Sequence, residues 1–113
     1  MKRLIMLTSL LMSGLAHAAG TGSGSVVSLI PAVINGTEFF VLTLTTMQGQ
    51  PACATSGRFA LSATDPKYRT VVTGLLQAYV TGRAVYANGL GTCDTYAGAE
   101  DLAYVCFNNG EPC

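Results

Sequence analysis

The chain has 113 residues, six basic and six acidic side chains, and only 11% charged residues against 50% hydrophobic ones. Such a thin, balanced charge inventory gives no basic surface for neutralising phosphates, which argues against nucleic-acid binding. The length suits one small domain with a single core.

Residues 1–18 carry Lys2 and Arg3, an apolar run from Leu4 to Leu15 and then Ala16-His17-Ala18. That is the layout of a secretory signal peptide, and the run is shorter than the roughly 20 apolar residues a membrane span needs. Cleavage after Ala18 is expected, leaving no membrane segment and no cysteine placed to take a lipid. The charge pattern points to a bacterial periplasmic or secreted protein. Cleavage also removes His17, the only histidine. A Ser-His-Asp or Cys-His catalytic site would then lack its base.

Ala19 to Ser25, Ala-Gly-Thr-Gly-Ser-Gly-Ser, reads as a flexible lead-in, and residues 26–113 as the folded domain. A first strand is predicted over Val26 to Ile34, with Pro31 implying a bulge or an edge position. Asn35-Gly36 is a strong hairpin signal because both residues tolerate positive φ. Asn35-Gly36-Thr37 also matches a glycosylation sequon, but in a bacterial exported chain the turn is the better reading. The return strand is expected over Glu38 to Thr45. Met47 to Ala52 reads as a loop and Cys53 to Ser62 as a third strand.

From Thr64 to Gly82 every local signal agrees on one amphipathic helix. Tyr68, Val71, Val72, Leu75, Leu76 and Tyr79 form a single stripe at helical spacing. Thr64 or Asp65 can cap its start, Pro66 suits the first position and Gly82 its left-handed end. Gln77 falls opposite the stripe and is expected to be exposed. Strands are then predicted over Arg83 to Asn88 and Glu100 to Phe107, joined by a glycine-punctuated loop. The fold class is mainly β with one helix. The order β1-β2-β3-α-β4-β5 is that of a five-stranded OB-like barrel, with the helix stripe facing its interior.

Cys53, Cys93, Cys106 and Cys113 form an even set in an exported small domain and read as structural disulfides. Four cysteines allow three connectivities. Cys106 with Cys113, closing a short turn, and Cys53 with Cys93 is the favoured one, worth about 2.5 and about 4 kcal/mol by loop entropy. The CxxC spacing of zinc and redox sites is missing, so no metal or cofactor is expected. Glu100 and Asp101 are adjacent and should point to opposite faces of their strand. They read as solvated charges at a strand start and not as a paired-carboxylate site. No catalytic residue is assigned.

Ala78-Tyr79-Val80-Thr81-Gly82-Arg83-Ala84-Val85 resembles the helix-to-strand junction of the binding subunits of subtilase-type and typhoid-type bacterial toxins. Together with Gly91-Thr92-Cys93 and Glu100-Asp101-Leu102-Ala103-Tyr104-Val105, it also resembles a broad set of small exported bacterial OB-fold proteins of unassigned function. The resemblance covers roughly the last half of the chain. It implies an OB fold, export, and ring-forming homo-oligomers that bind glycans.

The loops after β1 and before β5 are the usual contact surface of OB folds. They nominate Asn35, Glu38, Asp94 and Tyr96 as ligand-binding residues. Tyr86 joins them because its strand is apolar on both faces. The function expected is a non-enzymatic binding module for an envelope or host glycan or protein. The alternative is a periplasmic inhibitor or structural envelope protein acting by protein contact.

Overall fold

A computed structural model describes residues 19–113; the signal peptide expected over residues 1–18 lies outside the described residues. Along the chain run β1 (Thr21–Ile34), β2 (Thr37–Gln48), β3 (Arg58–Ser62), α1 (Tyr68–Thr81), β4 (Val85–Gly89) and β5 (Ala99–Cys106). Asn35 and Gly36 both take positive φ, 51° and 78°, so the hairpin between β1 and β2 turns as its sequence dictates. β1 starts at Thr21 and not at Val26, so most of the expected lead-in is strand. Thr21 to Gly24 pair with β4, and that pairing orders a glycine-serine stretch whose composition alone reads as flexible. Pro31 lies where β1 has only β2 beside it, an edge position that leaves its missing N–H without consequence. The irregularities of register fall earlier, on either side of Val26.

Within the sheet the neighbours run β1-β2-β3-β5-β4, and β4 pairs back with β1, so the sheet closes on itself. Chain order therefore does not carry over to the sheet. β5 inserts between β3 and β4, parallel to the first and antiparallel to the second. Alternation sorts the side chains into two sets. Phe40, Leu42, Leu44, Phe59, Leu61, Val85, Ala87 and Leu102 join the helix in the main core. Phe39, Val41, Ala60 and Ala99 form a second, smaller cluster on the other face.

The helix begins at Tyr68, later than expected. Asp65 accepts the Lys67 backbone N–H, 3.0 Å, so it does tie down the approach to the helix, while Pro66 lies outside it. Gly82, at φ 71°, ends it as the sequence requires. The buried stripe is narrower than predicted: Tyr68, Val71, Leu75 and Ala78 are buried and Val72 is half-buried, whereas Leu76 and Tyr79 are exposed. Ala78, outside the expected stripe, is buried in the core in their place. Gln77 is exposed. Disulfides join Cys53 to Cys93 and Cys106 to Cys113, stapling the loop before β3 to the loop before β5 and the chain end to β5.

Candidate binding site

Two sites merit comparison, a buried pair of carboxylates and an open cleft. The carboxylates correct the sequence reading. Glu100 and Asp101 do point to opposite faces, but neither is solvated: they are 0% and 7% exposed. Asp101 faces the loop between β4 and β5. Its Oδ2 accepts from the Thr92 hydroxyl at 2.6 Å and the Asp94 N–H at 2.9 Å, and its Oδ1 accepts from the Thr95 N–H at 2.8 Å. Burial pushes its carboxyl up, but these donors outweigh burial and hold it below its ordinary value. Asp101 therefore folds the loop, and carries the main chain of Asp94 with it.

Glu100 faces the interior, on the same side as its parallel neighbour Phe59. The backbone N–H groups of Gly20 and Gly91 both donate to its Oε2, each at 2.9 Å. A side chain at Gly89 would collide with the carboxylate, and one at Gly20 would crowd it. These glycines are there to let the backbone approach.

The predicted ligand residues do not converge. Asn35 sits at the hairpin tip. Glu38 accepts the Tyr68 hydroxyl at 3.1 Å, a bond that with burial pushes the Tyr68 phenol up to about 12, burial being the larger cause. Tyr96 stacks on Phe39, ring centroids 5.3 Å apart, in the outer apolar cluster. Tyr86 lies on the outer face of β4, opposite Cys106 of β5. Asp94 is exposed beside the Cys53–Cys93 bridge. None of four well-formed cavities among the described residues is lined by more than one of these residues.

The largest of those cavities lies elsewhere, between α1 and the chain end, with a volume of about 620 Å³. That is within the range of small-molecule sites, about 300 to 1,000 Å³. The helix contributes Thr70, Gly74, Gln77, Ala78 and Thr81, and the segment after it contributes Arg83 and Ala84. Phe107 and Asn109 come from the far wall. The Phe107 ring is seated against Gly74 so closely that any side chain there would collide with it. The tip of the ring makes that contact, and the residue is 50% exposed. The Cys106–Cys113 bridge, next to Phe107 in the chain, fixes the segment that carries it.

Sequence reasoning missed this cleft. The available signal was Gly74 itself, since a glycine inside a helix costs about 1 kcal/mol relative to alanine and marks a close approach when nothing else explains it. Among the described residues no group of three His, Cys, Asp or Glu side chains is placed to hold a metal ion, and no helix is long and apolar enough to cross a membrane.

No family model, curated protein or solved structure matches this chain.

Proposed function

We propose that the protein is an exported, non-enzymatic binding module built on an OB-like barrel, and that it takes a glycan in the cleft between α1 and the Phe107 segment. The observation that carries this reading is the pairing of a fixed, half-exposed aromatic ring with a polar rim. Sugars present C–H faces that stack on aromatic rings and hydroxyls that need both donors and acceptors. Here Phe107 supplies the ring, Gln77 and Asn109 supply amides, Thr70 and Thr81 hydroxyls, and Arg83 a cation. The Thr81 hydroxyl already donates to the Gln77 carbonyl, 2.8 Å, so its oxygen remains free to accept. Arg83 is the cleft's one charged side chain, and no carboxylate, histidine or thiol lines it. That composition suits binding better than acid-base chemistry.

Export is supported by the Lys2 to Ala18 pattern. The two disulfides are compatible with an oxidising compartment. The similarity of the Ala78 to Val85 junction to toxin binding subunits supports the glycan class and a ring-like homo-oligomer. A second reading, an envelope inhibitor or structural protein acting by protein contact, is favoured by one observation. Beyond Gly24, β1 has a neighbour on one side only, and Val27, Val33 and Ile34 on that stretch are exposed. An open apolar edge suits strand addition by a partner.

Glycan-array screening of the mature protein and of Phe107→Ala distinguishes the two. The glycan reading expects binding that falls at least about tenfold in the variant, as loss of a stacking aromatic should cause. Binding unaffected by Phe107→Ala, or no glycan bound at all, would reject the cleft.

A further inference from the structure

Glu100 carries an unpaired oxygen. Its Oε2 holds two backbone N–H groups, yet its Oε1 is buried without a hydrogen-bond partner. An ionised carboxylate in that position lacks the counter-charge or hydrogen bonds that burial demands. The surroundings supply none among the described residues. Gly20, Gly89 and Gly91 line the group, and the Gln50 side chain lies over Gly20 with its amide committed to the Arg58 carbonyl. The ion pair found among the described residues, Lys67 with Asp65, belongs to the approach to α1.

Processing makes a cation close to this place. Hydrolysis of the Ala18–Ala19 bond adds water across the peptide, giving a carboxylate on Ala18 and an α-ammonium on Ala19. The α-nitrogen of Ala19 is two chain atoms from the Gly20 nitrogen that already binds Glu100, which standard bond lengths translate to about 3 Å. Gly20 itself is packed closely enough that a Cβ on it would stand 2.5 Å from Oε1. Gly20 is buried against Glu100 and Ala19 is exposed, so the new terminus lies where the chain leaves this contact.

We propose that Glu100 is the receiving site for the processed N-terminus: the α-ammonium left on Ala19 by signal cleavage pairs with the free Oε1, completing the fold only after export. The proposal rests on the export reading above. It gives Gly20 and Gly89 a common purpose, making room for the carboxylate. Before cleavage Ala19 carries an amide nitrogen in place of the ammonium, so Oε1 gains this partner only on processing.

Two measurements on protein recovered from the exported fraction test it. Intact mass reports the first residue. Competitive acetylation at pH 7 then reports the α-amine, with Lys67 as internal reference, since Lys2 leaves with the signal. A free α-amine titrates at about 7.7 to 8.0, and pairing with a buried carboxylate raises that value. Only the deprotonated amine reacts, so the α-amine of the folded protein should be acetylated at least about tenfold more slowly than that of the unfolded protein. Glu100→Gln should return the rate to within about twofold of the unfolded value.

A variant with one serine inserted before Ala19, which displaces the amine without touching Glu100, covers the case in which Glu100→Gln does not fold. Its amine should react at the unprotected rate and its unfolding midpoint should fall. Equal acetylation rates in the folded and unfolded wild type, or equal protection in the extended variant, would overturn the pairing alone. A first residue other than Ala19 would overturn both the cleavage position and the pairing.

Discussion

Two parts of the interior are closed by opposite chemistry. One is an apolar wedge, in which Tyr68, Val71, Leu75 and Ala78 of α1 pack on the inward residues of the strands. The other is polar, where β5 starts with two buried carboxylates, one holding a loop and one holding the start of β1. The wedge gains stability from area removed from water and is indifferent to pH over the range in which carboxylates titrate. Asp101 gains its stability from charge-assisted hydrogen bonds, which are strong only while its carboxylate is ionised. A small domain of this kind thus depends on two closures that fail under different conditions.

Breaking the wedge should have the largest effect. Leu75 is 1% exposed, and Leu75→Ala is expected to cost about 2 to 5 kcal/mol through lost burial and a cavity. Urea unfolding at pH 7 measures it. A cost under about 1 kcal/mol would mean that α1 is not seated on the strands as described.

Breaking the polar closure comes next. Asp101→Ala removes one acceptor from three donors and should cost about 3 kcal/mol. Acid separates it from the wedge. The Asp101 carboxyl is held below its ordinary value in the folded state, so its contribution is present in full above the unfolded value, about 3.9, and is lost as pH falls through the lower folded value. Asp101→Asn should therefore lose part of the steepness with which the wild type destabilises below about pH 4, whereas Leu75→Ala should keep it. Parallel acid profiles for Asp101→Asn and the wild type would remove Asp101 from this role.

Where the two chemistries meet, the effect is smaller. Tyr68 packs its ring in the wedge and donates its hydroxyl to Glu38 at the surface. Tyr68→Phe keeps the ring and should cost about 1 kcal/mol. Ultraviolet titration of the folded protein should show one tyrosine ionising near 12, absent from the variant.

The wedge was legible in the sequence because periodicity reports apolar faces, and the Asn35-Gly36 turn and the Gly82 helix end were legible because each needs a backbone few residues adopt. The favoured cysteine pairing followed from loop length. The polar closure was not legible. Alternation placed Glu100 and Asp101 on opposite faces, but what buries them is the backbone of Gly20, Gly91, Asp94 and Thr95, and a main-chain N–H leaves no mark in composition. The same gap hid the strand character of Thr21 to Ser25, which depends on pairing with distant β4. Periodicity also overreached by one side of the helix, since it counts Leu76 and Tyr79 with the stripe although both are exposed, and leaves out Ala78, which is buried. The cleft lay beyond reach because Phe107 comes from a segment well after the helix it lies against.

The smallest expected effect on stability carries the most information about function. Gln77 is exposed on the outer side of α1 and lines the cleft. Gln77→Ala should shift the unfolding free energy by less than about 0.5 kcal/mol, since it buries nothing and caps nothing. Loss of one ligand hydrogen bond of about 1 kcal/mol should nonetheless weaken the proposed glycan binding about fivefold. Stability held constant while affinity falls identifies the cleft as a site, because a residue that only supported the fold would move both together. A substitution that instead destabilises as much as Leu75→Ala would place Gln77 under a second copy of the chain, and a sedimentation measurement would then find an oligomer that the variant dissociates.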